Sequence, residues 1–359
     1  GPLPTCTSTA IRGFQPLGSA GGVASHGGIA PAGSSMAAVW ENPTGAMGNG
    51  AGSIYLALVD NQGRVAPAQQ IATGQDPVLL RSDRLSLFWR QGTNIMFQHV
   101  ADDGSTPDPP VTVYNAVADY FDVAWDGQSF GIVMNGAGAD QYEINSISVA
   151  PDGTLLAGPT KVPDGGNNSV LPAIAWAGSY YAVAWADTRP GSPAIFYARF
   201  DRQWNRLAPD EQLSPAGLRG SFPSVAQQAT GGVVVCYQVR VTATNDDVYC
   251  SRLDDAGHVT ASPQLSKTAY ASQDPTVVTH GHSTWVVWDE ATAAGEQTLN
   301  WQFLDDSGMP ILATPYDNSG VSPGSRPHAA VGPDALYLTQ YDLQNNGSTN
   351  AEVFTINCF

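Results

Sequence analysis

Lysine is almost absent from this sequence: Lys161 and Lys267 are the only two among 359 residues. Charged residues of all kinds make up 13% of the chain, against about 25% in an average soluble domain. With 15 basic and 32 acidic residues, the formal net charge is −17. A surface of this sign repels nucleic-acid phosphates and anionic lipids, so we expect neither as a partner.

Long hydrophobic runs and reactive motifs are missing as well. No apolar segment approaches the roughly 20 residues that a membrane span needs, so we expect no membrane insertion. The chain contains no phosphate-binding loop and no recognisable order of Ser, His and Asp. The motifs therefore predict no catalytic residues and no cofactor.

Turn residues and short apolar runs dominate what is present. The chain has 38 glycines and 26 prolines, and 42% of its residues are hydrophobic. The stretch 173–201 consists of three strand-length runs, rich in β-branched and aromatic residues and separated by Gly, Pro, Ser or Asp. This pattern predicts an all-β protein.

Two marks repeat along the chain with one period. The first is a large residue that closes the second strand of each repeat, at Trp40, Trp89, Met134, Trp185, Tyr237, Trp288 and Tyr341. The second is a turn after the third strand, at Asp60–Gly63, Asp103–Gly104, Asp152–Gly153, Asp254–Gly257 and Asp305–Gly308, with Asp201–Trp204 as a degenerate copy. Repeats of about 40 to 50 residues with four short antiparallel strands are typical of β-propeller blades. Seven marks predict a seven-bladed β-propeller.

The predicted blades form a single domain, 1–359. Their approximate bounds are 19–71, 72–113, 114–162, 163–213, 214–265, 266–316 and 317–359. The last blade lacks a fourth strand, and the segment Gly13–Leu17 resembles the fourth strands of the other blades. We therefore expect residues 6–18 to join the last blade, which closes the ring and removes exposed sheet edges.

The four cysteines fall into two natural pairs. Cys6 precedes the amino-terminal strand and Cys358 ends the last third strand, so a disulfide between them would complete the ring closure. Cys236 and Cys250 lie on neighbouring antiparallel strands of one blade and form the second predicted disulfide. The alternative is four buried free thiols. Two disulfides indicate an oxidising compartment.

Residues 181–201, YAVAWADTRPGSPAIFYARFD, resemble the repeat of exported bacterial β-propeller proteins. That repeat has the form aliphatic-aliphatic-Trp-x-Asp-x-Arg-x-Gly, then Ile-Tyr-x-x-Arg and an Asp-x-x-Gly turn. The resemblance is sharp in this blade and extends over nearly the whole chain as architecture. It implies a propeller and an exported bacterial protein. The family contains both enzymes and binding proteins, so it implies no single function.

Binding residues are expected on the face that carries the long loops between second and third strands, because binding concentrates where loops vary. The candidate ligand-binding residues are Trp40, Trp89, Trp185, Asp187, Arg189, Trp288, Asp289, Glu290 and Arg326. The four indoles form either a sugar-stacking platform or, as strand alternation favours, packing between blades. Asp187 and Arg189 either act on a ligand or pair with each other and brace their loop.

These observations favour a secreted, periplasmic or cell-surface binding protein, monomeric and non-catalytic, that holds a glycan or a protein partner. The alternative is a carbohydrate-active enzyme, a glycoside hydrolase or lyase, with carboxylates from Asp187, Asp289 and Glu290 at a central funnel. A purely structural surface scaffold is a third reading. Calcium in the acidic turns remains open, and no other metal is expected.

Overall fold

The computed structural model of the protein describes residues 11–18, 25–44, 50–115, 119–137, 142–165, 168–293, 297–317, 325–332, 335–343 and 349–356. The described part contains 27 β-strands and no helix. The chain divides into two compact units, one made of Gly1–Asn115 and Ser319–Phe359 and the other of Ala116–Asn318. All strand pairs are antiparallel, which confirms the all-β prediction.

The first unit contains two sheets. One has the strand order β1-β27-β26-β25 and the other runs from β2 to β8 in chain order. The strands of this unit are β1 (Ile11–Gly18), β2 (Ser25–Ala32), β3 (Ser35–Thr44), β4 (Gly50–Val59), β5 (Gln69–Arg81), β6 (Leu85–Gln91), β7 (Asn94–Val100), β8 (Val111–Asn115), β25 (Ser325–Val331), β26 (Leu336–Leu343) and β27 (Thr349–Ile356).

The amino-terminal strand β1 pairs with the last strand, β27. The register runs from Ile11 opposite Ile356 to Gly18 opposite Ala351. This strand addition agrees with the sequence prediction and covers an edge of β27 that would otherwise expose unpaired backbone groups. Cys6 and Cys358, the predicted disulfide beside this strand, lie outside the described residues.

Strand β5 belongs to two four-stranded arrays. Its first half, up to Gly74, pairs with β4, and its second half, from Gln75, pairs with β6. At the crossing point, a Cβ atom on Gly74 would lie 2.4 Å from Cδ1 of Trp89. The indole of Trp89 also donates a hydrogen bond to the Thr73 carbonyl at 3.2 Å. A residue without a side chain is therefore required where β5 passes from one array to the next.

The second unit contains four sheets of four strands, each in chain order. Their strands are β9 (Phe121–Trp125), β10 (Phe130–Ala137), β11 (Tyr142–Val149), β12 (Leu155–Lys161), β13 (Ser169–Trp176), β14 (Tyr181–Asp187), β15 (Ala194–Phe200), β16 (Glu211–Gln212), β17 (Arg219–Gln227), β18 (Val233–Arg240), β19 (Asp246–Leu253), β20 (Val259–Ala261), β21 (Ser272–His280), β22 (Ser283–Ala291), β23 (Gln297–Leu304) and β24 (Tyr316–Asp317). The first strands of these sheets contact each other in the order β9, β13, β17, β21. We call them, together with the second half of β5, which begins the β5–β8 array at Gln75, the inner strands.

The predicted Asp-Gly turns are present. In each, the Asp carboxylate accepts backbone hydrogen bonds from the turn, as Asp305 does from Ser307 and Met309 at 2.9 and 3.0 Å. The glycine takes the left-handed conformation, with φ of 81° at Gly308. In the degenerate copy, Trp204 adopts this conformation, with φ of 62°. Its ring stacks on Tyr181 at a centroid distance of 4.8 Å.

The large residues that mark the second strands pack between sheets. Trp185 lies in one cluster with Val133 and Ile144 of the preceding sheet, and Trp40 lies in one with Val353 of the β25–β27 sheet. This agrees with the packing interpretation. The prediction of Tyr341 as the marker residue of the last sheet is wrong. The register places Gln340 at the marker position of β26, opposite a bulge between Ser325 and His328.

The predicted disulfide between Cys236 and Cys250 is confirmed. The two residues are direct partners across β18 and β19, with an S–S distance of 2.06 Å. Both are fully buried in the cluster that joins this sheet to β21–β24. The crosslink therefore holds the two central strands of one sheet inside the apolar core.

Candidate functional site

A bulge that contains a proline repeats at the start of the inner strands. The residue before the proline takes a left-handed conformation at Asp76, Leu171, Phe222 and Asp274, with φ between 48° and 57°. We call these four positions the rim residues. Each bulge is opposite the marker residue of the second strand: Trp89, Trp185, Tyr237 and Trp288 respectively.

The backbone at the rim is strained. A residue before proline is disfavoured in helical conformations, and a left-handed conformation costs a non-glycine residue about 1 to 3 kcal/mol. The cost recurs in four arrays, and at Asp76 and Asp274 a side chain of a neighbouring array accepts a hydrogen bond from the strained residue's N–H. Such repeated strain at the loop-bearing ends of the strands marks these positions as candidates for function.

In the first unit, the rim residue Asp76 belongs to a constellation with Glu41 and Arg90. The backbone N–H of Asp76 donates to Oε2 of Glu41 at 3.0 Å, and Nε of Arg90 donates to Oδ2 of Asp76 at 2.8 Å. The side chains of Asp76 and Arg90 are each 17% exposed, whereas Glu41 is 1% exposed. The ion pair therefore meets solvent while the second carboxyl lies beneath it.

The charge state of Glu41 is set by its surroundings. Burial raises the pKa of Glu41 to about 7, and the nearby carboxylate of Asp76 acts in the same direction. The hydrogen bond from the Asp76 N–H and the charge of Arg90 oppose this shift only in part. Glu41 therefore exchanges a proton near neutral pH beside a carboxylate that is paired with an arginine.

In the second unit, the rim residue Asp274 has an equivalent support. Its backbone N–H donates to Oε1 of Gln238 at 3.1 Å. The preceding residue, Gln273, donates from Nε2 to Oδ2 of Asp246 at 2.9 Å. Arg240 donates to both oxygens of Asp246, at 2.5 and 3.0 Å. Amide, carboxylate and guanidinium groups thus converge where β18, β19 and β21 meet.

A further carboxyl, Asp247, lies in the same region. Burial raises its pKa, a hydrogen bond from Gln264 at 2.6 Å opposes the shift, and the charge of Glu290 adds to it. Glu290 itself accepts hydrogen bonds from Ser272 at 3.0 Å and from the Trp288 indole at 3.4 Å. The structure therefore groups Glu290 with Asp247.

The four predicted indoles are all buried. Trp40 and Trp89 are 2% exposed, and Trp185 and Trp288 are fully covered. Their faces pack against neighbouring strands and so present no stacking surface in this structure. The indole N–H groups of Trp185 and Trp288 point to the carboxylates two residues further on, which orients those carboxylates.

Asp187 and Arg189 form the pair that the sequence offers as one interpretation. Nη2 of Arg189 lies 2.7 Å from Oδ2 of Asp187, and Nη1 lies 2.8 Å from Oδ2 of Asp210. Arg206 also pairs with Asp210, and the Arg189 guanidinium stacks 4.2 Å above the Phe196 ring. This network braces the β14–β15 loop against the connection that follows β15.

The three carboxylates predicted for a central funnel come from two sheets. Asp187 lies on β14, and Asp289 and Glu290 lie on β22, with the sheet β17–β20 between their sheets. Asp289 and Glu290 are consecutive in β22, so their side chains leave opposite faces of the sheet, and Asp289 is 1% exposed. The backbone of Arg326 lies in the bulge of β25, and its side chain is outside the described part.

Sequence reasoning missed Glu41, Asp76, Arg90, Asp246, Asp247 and Asp274. A signal for the rim was present, because prolines follow four of the inner-strand starts, at Pro77, Pro172, Pro223 and Pro275. Within the described residues, no group of three or more His, Cys, Asp or Glu side chains is placed to hold a metal ion. The same residues include no helix long and apolar enough to cross a membrane.

No family model and no curated protein sequence matches the chain. By structure it is similar to the polysaccharide lyase Uly1, with a TM-score of 0.60 and 9% identity over 93% of this chain and 90% of the lyase. It is also similar to a subtype N10 neuraminidase-like protein of A/little yellow-shouldered bat/Guatemala, with a TM-score of 0.50 and 10% identity over 98% and 100% of the two chains. A protein of unknown function from Dyadobacter fermentans gives 0.52 and 10% identity over 93% and 95%. At these identities the similarities show the fold alone, which is of the β-propeller type.

Proposed function

We propose that the protein is a carbohydrate-active enzyme, a glycoside hydrolase or a lyase, whose site includes Asp76 and Arg90 above Glu41. The observation that carries the proposal is the constellation itself: a carboxyl with a pKa of about 7 beneath a carboxylate paired with an arginine. A carboxyl group with a raised pKa beside a second carboxylate is a usual basis for acid and base chemistry in one site.

In this proposal Asp76 and Arg90 contact the polysaccharide, since both side chains reach solvent. Asp76 serves as the base or nucleophile, and Arg90 stabilises negative charge on the reacting group. Glu41 is a positioning residue. It holds the strained N–H of Asp76 and, by gaining or losing its own proton, changes the charge beneath the pair.

The experiment is a panel of polysaccharides assayed for two products. New reducing ends without unsaturation indicate hydrolysis, and absorbance from an unsaturated uronate indicates a lyase. We expect Asp76→Asn to reduce turnover by at least about 100-fold, the usual scale for an acid or base group. The matched control is Asp102→Asn, which removes a carboxylate paired with Arg81 in the same β5–β8 array and should leave turnover unchanged.

Glu41 supplies an independent readout. If it controls the charge of the site, activity has a limb near pH 7 that Glu41→Gln removes. Turnover by wild type that is unaffected by Asp76→Asn would contradict the assignment of the site. Absence of turnover on every polysaccharide, combined with specific binding, would replace the enzyme with a binding protein.

That second function, a non-catalytic glycan-binding protein, is favoured by a separate observation. Asp187 and Glu290, two of the carboxylates first considered for catalysis, are held by neighbouring serine and tryptophan donors. Carboxylates held in this way orient neighbouring groups and are poorly placed to exchange protons with a substrate.

The finer architecture and the location belong to the same proposal. Counting β5 with each of its partners divides the seven-stranded sheet into two blades, which supports a ring of seven. The buried disulfide supports an oxidising compartment. We propose a monomeric protein that is secreted, periplasmic or exposed on the cell surface.

A further inference from the structure

Three consecutive inner strands of the second unit have a bulky apolar or aromatic residue at or near their start. Tyr120 directly precedes β9 and is 41% exposed, and Phe222 in the bulge of β17 is 39% exposed. Leu171 occupies the bulge of β13, between them, and is half-buried. Because β13 contacts both β9 and β17, the three residues follow one another along the same end of the sheets.

Neither the exposure of these side chains nor the strain of their backbone stabilises the fold. Tyr120 and Phe222 leave 41% and 39% of their surface open to water and lose that share of their burial energy. The left-handed conformations of Leu171 and Phe222 are costly for residues with a Cβ. Glycine would fit these positions without strain. Two partly exposed rings and two strained bulky residues in one row are better explained by a ligand than by packing alone.

Polar groups stand directly beside this row. The next inner strand, β21, carries Asp274 at the equivalent position, with its N–H held by Gln238. Gln273, Asp246 and Arg240 continue the set through the hydrogen bonds described above. Apolar surface flanked by amide, carboxylate and guanidinium groups matches a sugar chain, which has C–H faces for aromatic rings and hydroxyl edges for polar side chains.

The local charge selects among sugar chains. Asp247 interacts electrostatically with Glu290 and Asp246, and Asp246 pairs with Arg240. Asp274 directly follows Gln273, which donates a hydrogen bond to Asp246. The whole chain carries a net charge of −17. A polyanionic polysaccharide would meet like charge along this row, whereas an uncharged one would not.

We propose that Tyr120, Leu171 and Phe222 form a stacking row that binds successive units of an uncharged polysaccharide, with the polar set around Asp274 holding its hydroxyl groups. This inference rests on the proposed carbohydrate function and deepens it. A lyase eliminates next to a uronate unit, which an uncharged polysaccharide lacks, so this ligand favours the hydrolase over the lyase. It assigns binding to residues other than the four buried tryptophans.

The test is affinity electrophoresis of the full chain in gels that contain one polysaccharide each. The uncharged set is hydroxyethylcellulose, barley β-glucan, arabinan and galactomannan, and the polyanionic set is alginate and polygalacturonate. We expect retardation by at least one uncharged polysaccharide, weakened about tenfold by Phe222→Ala and by Tyr120→Ala. Phe222→Tyr should retain binding, because it keeps the ring. The control Leu156→Ala, which truncates a side chain 58% exposed on the outer strand β12, should bind as wild type does.

The outcomes separate the two proposals. Equal retardation of wild type, Phe222→Ala and Tyr120→Ala overturns the stacking row, and polysaccharide turnover by the same samples would leave the enzymatic proposal intact. Retardation by polyanions alone overturns the uncharged ligand. Thermal unfolding of each variant shows whether weakened binding reflects a lost ring or a lost fold. Weakened binding with an unchanged midpoint supports the row.

Discussion

At the residue scale, the carboxylate of Asp187 shows how a buried charge is retained. It accepts hydrogen bonds from Ser169, from the Trp185 indole, and from both the backbone and the side chain of Arg189. Burial alone would raise the pKa of Asp187, but these donors, led by the Arg189 side chain, outweigh it and hold the pKa below its ordinary value. The ionised form is therefore the stable one in the folded protein.

Asp187→Asn should destabilise the protein by about 3 kcal/mol, because it leaves the Arg189 charge short of a partner in a buried network. The measurement is urea unfolding at pH 7. Because the folded-state pKa is lowered, the stabilisation is present above the unfolded-state pKa and is lost as the pH falls through the folded-state value. The difference between wild type and variant should therefore shrink in acid.

The matched control for this change is Glu143→Gln, which breaks the more exposed pair with Lys161. An exposed pair contributes less than about 1 kcal/mol. An equal loss in both variants would contradict the distinction between a buried network and a surface pair.

The pKa shift of Glu41 has the opposite sign to that of Asp187. Its pKa is raised to about 7 in the folded protein from an ordinary value of 4.5, so its contribution to stability is greatest below pH 4.5 and declines as the pH rises towards 7. The shift corresponds to about 3 kcal/mol. Glu41→Gln should remove that decline, so the variant gains stability relative to wild type between pH 4.5 and 7. A constant difference across this range, measured by chemical unfolding, would refute the raised pKa.

At the scale of elements, the bulges of the inner strands connect neighbouring arrays. Glu41 and Gln238 occupy equivalent places, one residue after Trp40 and Tyr237, and each accepts the N–H of the strained residue in the next inner strand. The two side chains differ in charge but supply the same oxygen acceptor. Support of the rim is therefore a repeated device.

Gln238→Leu should cost about 1 to 2 kcal/mol, because it leaves the N–H of Asp274 without its acceptor. Gln238→Glu keeps an acceptor, as Glu41 does, and should cost less. Equilibrium unfolding of both variants provides the comparison. A larger loss in Gln238→Glu than in Gln238→Leu would show that the hydrogen bond is not what matters there.

Some of these elements can be predicted from the sequence and others cannot. Strand pairs, Asp-Gly turns and the Cys236–Cys250 disulfide follow from periodicity and local turn chemistry, which act over short distances along the chain. The rim could not be inferred in the same way, because a left-handed residue before proline contradicts the local preference. Its supports are also remote in sequence, because Glu41 and Asp76 are 35 positions apart. The strands therefore follow from local sequence preferences, whereas the conformation of the rim residues depends on tertiary contacts.

At the scale of the whole molecule, the repeat predicts the propeller-type fold, and the β1–β27 pairing agrees with the expected joining of the two ends. The role of the four tryptophans does not follow from the repeat. Their position at strand ends is compatible with either packing or binding, and burial in three dimensions separates the two. Among the described residues, the large aromatic side chains that are exposed include Tyr120, Phe222 and Tyr270 instead.

The predicted bridge between Cys6 and Cys358 can be checked without a structure. Proteolysis of the unreduced protein should release a peptide that links the two, and a second that links Cys236 to Cys250. The first crosslink encloses almost the whole chain, for which the chain-entropy account gives about 5 kcal/mol. Peptides that join Cys6 to Cys236 or Cys250, or four alkylated thiols, would contradict the closure.

The continuity of β5 has a consequence for rearranging the gene. A circular permutation that opens the chain within 69–81 would sever one strand and deprive two arrays of their ladder at once. Opening it in the connection between β20 and β21 would interrupt no shared strand. The arrays β2–β5 and β5–β8 share a strand, whereas neighbouring arrays of the second unit are joined by loops. We therefore expect these two arrays of the first unit to fold and unfold together.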